Sequence, residues 1–347
     1  MNDKNREVLP AKYPFIDNYP THANTLSILL NYEETEDWIY NNFVNIWVMF
    51  EKNGQLEKFE HTGTVLYNHC PYLKIYDIPR YIVKKKYDTF ADFIIDSIDN
   101  GNYLNVSYDP YFIPHTEAYQ SWHQEHSIFV YGYDKESMQF YVADFFKNFK
   151  YSYELVSFDQ MNEAMDSSIF EEIDQLFHTL HYQNVQYTFD IHLFLKDLNN
   201  YLCSERTILN YEISSLNYDE YIRIKDGYVF YGIYCYEALI NELRKIEQDE
   251  NIYIDLRRWH FLHSHKVIAT KRLFFLEEKG YIKDINKLLP IFEEIEKECL
   301  IMENVLIKVH ITKNKGALDR IRKRLEYVRE IETIALNELI NEIKSNL

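Results

Sequence analysis

A histidine and an aspartate stand at the two open ends of one predicted hairpin, and a general base is built from such a pair. The stretch from 126 to 145 reads HSIFVYGYDKESMQFYVADF. His126 opens a run of β-branched and aromatic residues, the polar DKES segment at 134–137 interrupts it, and QFYVAD at 139–144 resumes it and closes on Asp144. Alternation about a polar break predicts a β-hairpin. A turn of three or five residues would set His126 directly across the ladder from Asp144, with Cβ atoms about 5 Å apart on one face. Asp144 would then fix the imidazole tautomer, and the pair would lack only a nucleophile.

The place for one lies upstream. Pro20 and Thr21 precede Leu26, Leu29 and Leu30, and this spacing predicts a helix over about 22–31 capped by Thr21. A thiol in the first turn of a helix feels the positive end of the dipole, so its pKa falls and a histidine can hold the thiolate. Position 23 has that placement, but it is Ala23. Its backbone N–H is expected to remain available whatever the side chain.

The elements that must position these residues follow from periodicity. EETED at 33–37 leads into a second predicted helix, and FVNIWVMF at 43–50 reads as a buried strand or helix end. DTFADFIIDSIDNGNY at 88–103 is an amphipathic helix with an Asn-Gly stop, and YLNVSYD at 103–109 is a strand. Helices followed by antiparallel strands give an α+β core over 1–160. From 151 to 225 the signals alternate: a strand at YELVSF, a helix at FDQMNEAM, a strand at YTFDIHLF and a helix at LKDLNNYL. Residues 161–227 are therefore read as a mixed α/β extension. From 228 to 347 the period is helical almost throughout, which predicts a helical C-terminal domain.

A formal charge of −18 argues against nucleic acid as a ligand and suits a cationic or amine-bearing small molecule. Four cysteines without CxxC spacing indicate reduced thiols and a cytoplasmic protein, and the absence of a leader or a long apolar run predicts no membrane association. Cys70, in NHCPY, is the competing nucleophile, although the following proline pushes it toward extended backbone. His260, His263 and His265 in RRWHFLHSHK have ligand chemistry, but their spacing puts only two on one helical face and no carboxylate accompanies them. Neither a metal nor a resident cofactor is expected, and with Trp259 these histidines are candidates to line an acceptor pocket. Two basic clusters stand against the acidic total, RYIVKKK at 80–86 and DRIRKRLEYVR at 319–329. Lys84, Lys85, Lys86, Arg322 and Arg324 are candidates to dock an acidic partner, or else form solvated helix faces.

THANTLSILLN at 21–31, with HSIFVYGYD and FYVADF, resembles the butirosin biosynthesis protein H N-terminal family, relatives of the C39-type papain-like peptidases that act as acyltransferases in antibiotic assembly. The resemblance spans about 15–150. It implies a papain-like core that moves an acyl chain from a carrier-protein thioester through a cysteine acyl-enzyme to an amine, with phosphopantetheine entering only as part of the acyl or peptidyl carrier substrate. It places the nucleophile at Ala23, the base at His126 and the orienting acid at Asp144. Where relatives use a Gln about six residues before the nucleophile to bind the oxyanion, this chain offers Asn18. Cys is the expected residue at 23. Ala there leaves two readings, a substitution made to trap a substrate or a natural pseudoenzyme. A hydrolase of the same fold and an inactive carrier-binding module are the alternatives.

Overall fold

The computed structural model describes residues 4–50, 56–61, 70–147, 150–171, 176–205, 228–248 and 253–347. The chain begins with β1 (Arg6–Val8), α1 (Pro20–Leu29), α2 (Glu36–Asn41), β2 (Ile46–Phe50), β3 (Leu56–His61), β4 (Leu73–Pro79), α3 (Arg80–Lys86) and α4 (Phe90–Asp99). Next come β5 (Asn102–Tyr108), β6 (His126–Asp134), β7 (Gln139–Phe145), β8 (Tyr151–Ser157), α5 (Phe158–Met165), β9 (Leu176–Tyr182) and α6 (Ile191–Cys203). After β10 (Tyr228–Tyr231) it is helical: α7 (Cys235–Gln248), α8 (Leu256–Glu278), α9 (Leu289–Thr312) and α10 (Leu318–Asn346). The protein is thus a mixed α+β chain with antiparallel sheet and a helical C-terminal region.

It divides into two compact units, one of Met1–Thr35 with Leu66–Gln186 and one of Glu36–Val65 with Tyr187–Leu347. The boundaries fall elsewhere than the expected 160 and 228. Strand pairing explains the shift: β10 lies antiparallel on β2, with Tyr228 opposite Phe50, and β2 lies on β3. The segment around β2 and β3 therefore belongs with the C-terminal helices.

In the first unit the antiparallel strands run β4-β9-β5-β6-β7-β8, with β1 added beside the far half of β6. Phe93, Ile94 and Ile98 of α4 and Met161 of α5 are buried with Val106, Ile128, Val130, Phe140 and Val142 of the sheet, which makes this the core face. A capping box starts α4: Thr89 accepts from Asp92 N–H and Asp92 accepts from Thr89 N–H. Gly101, at φ +76°, turns the chain from α4 into β5. Helix α1 starts earlier than expected. Pro20 occupies its first position, Tyr19 is an extended N-cap without a side-chain bond, and Thr21 lies inside the first turn rather than capping it.

In the second unit, the strand expected over 187–194 is replaced by the start of α6, where Asp190 accepts from the N–H groups of His192 and Leu193. Inside this unit Lys266 and Glu332, 1% and 3% exposed, form an ion pair of 2.6 Å. The hydroxyls of Tyr201 and Tyr236 donate to the second Glu332 oxygen at 3.0 and 2.6 Å. Lys266 also donates to His265 Nδ1 at 3.0 Å, so His265 Nε2 carries the proton it gives to Val44 O at 2.9 Å. Burial and the neighbouring Lys266 hold the His265 pKa far down, so the ring is neutral. Among the described residues, no helix is long and apolar enough to cross a membrane.

Candidate active site

The hairpin exists, and its register is what decides the site. Between Asp134 and Gln139 stands a four-residue turn, held by Asp134 Oδ1 accepting from the N–H groups of Glu136 and Ser137. From the turn the ladder runs Asp134↔Gln139, Tyr133↔Phe140, Gly132↔Tyr141; it then skips Tyr131 and resumes Val130↔Val142, Phe129↔Ala143. Tyr131 is a β-bulge. Continued to the open end, this register puts Asp144 opposite Ile128 and His126 one step further along the same face. The two residues are diagonal neighbours, not directly opposed as expected. Without the extra residue Asp144 would face Phe129, and His126 would point to the other side of the sheet. Gly132 beside the bulge admits β1: a Cβ there would lie 2.8 Å from Glu7 O and 2.9 Å from Val8 Cα.

His126 Nε2 lies 3.2 Å from Asp144 Oδ1. The carboxylate is 2% exposed, whereas the imidazole side chain is 36% exposed. Tyr108, whose Cα is the ladder partner of His126, donates its hydroxyl to Asp144 Oδ2 at 2.7 Å, and Phe145 N–H donates to Oδ1 at 2.7 Å. Burial and the adjacent Asp144 drive the Tyr108 pKa far up, so it stays a donor. Burial alone would lower the His126 pKa, but the hydrogen bond and charge of Asp144 outweigh it and raise the value above 6.5. Asp144 is an acceptor only, so Nε2 carries the proton and Nδ1 is the basic nitrogen.

A pH dependence follows. A histidine pKa raised by folding stabilises the fold fully below the unfolded value and loses that contribution as pH rises through the folded value. In Asp144→Asn this gain on the acid side is expected to disappear, and the His126 ring pKa to fall toward or below 6.5, read from ring-proton shifts in an NMR titration. An unchanged His126 titration would contradict the pairing.

Ala23 is fully buried in α1. The helix is fastened to β8: Tyr151 OH donates to Asn24 Oδ1 at 2.9 Å, and Ser27 Oγ lies 3.0 Å from Tyr153 OH. Tyr151 is the ladder partner of Phe145, so these tyrosines occupy the sheet face opposite to Asp144. The start of α1 and the His126–Asp144 pair share one end of the sheet, at the end of β7 and the beginning of β6, but not one face. The Ala23 N–H, expected to be available, donates to Tyr19 O at 3.0 Å as the first bond of the helix. Asn18 is 4% exposed, and neither its amide oxygen nor its nitrogen has a hydrogen-bond partner among the described residues. Leaving such a group unpaired costs about 1–3 kcal/mol.

Other candidates sort clearly. Cys70 is 3% exposed, and burial pushes its thiol up to about 12, which removes its value as a nucleophile. Trp259 and His265 are buried in the core of the second unit, 1% and 3% exposed. Lys84 pairs with Asp166 at 2.6 Å, while Lys85 and Lys86 are exposed on α3. Arg322 is paired with Glu247 and Asp319, and Arg324 with Glu298. Sequence reasoning missed Tyr108, for which one tyrosine among 31 gives no signal. It also missed a second pair: buried Asp109 accepts from His123 Nδ1 at 2.7 Å and from Ser167 Oγ at 2.6 Å, with the His123 ring stacked on Tyr111 at 4.0 Å.

No family model matches the chain, and a search of curated proteins finds no match.

Proposed function

We propose that the first unit is a papain-like, cysteine-dependent acyltransferase core that forms an amide, and that this chain is its Cys-to-Ala form. The observation that carries the reading is the buried acid at Asp144, fixed by Tyr108 and holding a half-exposed imidazole with Nδ1 as its basic nitrogen. With Cys at 23, and with His126 reaching it around the end of the sheet that both share, the thiolate attacks the acyl carbon of a carrier-bound thioester. The carbon–sulfur bond to the phosphopantetheine thiol breaks, and that thiol leaves with the proton from His126. An amine then attacks the acyl-enzyme and gives its proton to His126, and the Cys sulfur departs as thiolate. The Asn18 amide, buried and without a hydrogen-bond partner among the described residues, is the side-chain donor offered to the oxyanion. The site uses no resident cofactor. The chain's size and helical C-terminal half are similar to those of the amide-forming enzyme of closthioamide biosynthesis, which favours a thiotemplate, antibiotic-forming setting and a cytoplasmic location. The test is acyl-enzyme formation by Ala23→Cys with a thioester donor, followed by intact mass.

Ala23 itself favours a second reading, a catalytically inactive module that holds a carrier protein. Both readings need a docking surface for an acidic helical partner. Helix α3 offers one, with Lys85 and Lys86 exposed beside Tyr81 and Ile82, which are 63% and 39% exposed. Arg322 and Arg324, already neutralised by carboxylates, contribute less. Lys85→Glu with Lys86→Glu is expected to raise the Kd for an acyl carrier about tenfold, or about 1.4 kcal/mol, and more at low salt. An unchanged Kd in fluorescence anisotropy would move the docking surface off α3.

A further inference from the structure

Two histidines one helical turn apart on α8 direct the same ring atom at one carboxylate of α9. His260 Nδ1 lies 2.9 Å from Glu303 Oε1, and His263 Nδ1 lies 3.3 Å from Glu303 Oε2. One ligand-type atom from each residue falls within 4.8 Å of the others. Spacing of i and i+3 places both rings on one helix face, and the carboxylate that the local sequence lacked comes from the neighbouring helix.

The two approaches differ in kind. The first is a hydrogen bond. In the second, Glu303 Oε2 is buried yet has no hydrogen-bond partner among the described residues, despite a ring nitrogen 3.3 Å away. The two meet as an ion pair rather than as an aligned hydrogen bond, and the three ligand-type atoms lie close enough together for one ion to be shared. Their burial is graded. The Glu303 and His263 side chains are 14% and 17% exposed, and His260 is 35% exposed, so the group lies just below the surface with one side open.

We propose that His260, His263 and Glu303 form a binding site for one divalent transition-metal ion of the zinc, cobalt and nickel class. Two imidazoles and one carboxylate suit these borderline ions, whereas magnesium and calcium prefer all-oxygen sites. The three ligand-type atoms lie within 4.8 Å of one another, and an ion with bonds of about 2.1 Å would displace the proton that now joins His260 Nδ1 to Glu303 Oε1. Three protein ligands leave the ion at least one coordination position toward the open side, for water or an anionic ligand, and the ion cross-links α8 to α9. This inference is independent of the chemistry assigned to the first unit.

The test uses the full chain without a polyhistidine tag, stripped with a chelator and titrated with cobalt(II) by visible absorption and with zinc(II) by calorimetry. One saturable equivalent per chain is expected, with zinc raising the melting temperature. Glu303→Gln and His263→Gln, each verified as folded by circular dichroism, are expected to weaken binding at least about 100-fold. Absence of saturable uptake by the unmodified chain overturns the proposal whatever the variants do. Uptake unchanged in both variants overturns it equally and leaves the cluster as an interhelical ion pair.

Discussion

Ala23→Cys is expected to convert the chain from inert to acylated when offered a carrier-bound or small thioester, with a mass gain equal to the acyl group. Ala has no atom that can attack, and Cys70, Cys235 and Cys299 have thiols pushed up by burial; the exposed Cys203 is replaced by Ser in both chains, so that the mass gain reports position 23 alone. In that background His126→Ala is expected to slow acylation about 10²- to 10⁴-fold, the range for losing a positioned general base. His123→Ala is the control: its own carboxylate is Asp109, so acylation should persist if the working pair is His126–Asp144. Acylation without His126 but not without His123 would transfer the role to the second pair. Donor binding without acylation in Ala23→Cys would establish the carrier-holding module instead. Amide formed only when an amine is present, against free acid formed without one, separates a transferase from a hydrolase.

Lys266→Met is expected to destabilise the second unit by about 3–5 kcal/mol, because it leaves the buried Glu332 carboxyl without its ion-pair partner and with only two tyrosine hydroxyls. The same substitution removes the donor to His265 Nδ1, so the loss should reach the hydrogen bond to Val44. Glu332→Gln keeps the shape and strands the lysine, and should cost a comparable amount. Urea unfolding followed by tryptophan fluorescence reports this directly. Trp38, Trp47 and Trp259 belong to the second unit, and only Trp122 belongs to the first. A loss below about 1 kcal/mol, the ordinary worth of an exposed pair, would show that water reaches these charges.

Helix α4 was legible because it buries one face at a period of 3.6, and the segment after β10 is helical, as its apolar spacing predicts. The hairpin was legible for the same reason at a period of two. Its register was not, because a bulge is one residue without a partner and has no compositional mark. Tyr131 sits in a run of aromatics where any of several residues could be the extra one. Asp144 could be proposed from its position, but its two further donors come from the backbone of Phe145 and from Tyr108 on another strand. Long-range pairings such as β2 with β10, or Lys266 with Glu332, leave no local trace. The carboxylate beside His260 and His263 was hidden for that reason too.

The unpaired Tyr131 makes the hairpin a counting device. Its tip, at 135–138, lies outside the ladder and can lengthen or shorten without altering which residues meet at the open end. One residue gained or lost along β6 between His126 and the bulge turns His126 through the sheet, away from Asp144, while composition and hydrophobicity barely change. Length variation in this hairpin should therefore gather at the tip, and single-residue changes in the strands should survive only in compensating pairs. A label or short peptide is best inserted between Lys135 and Met138, where the count is not kept.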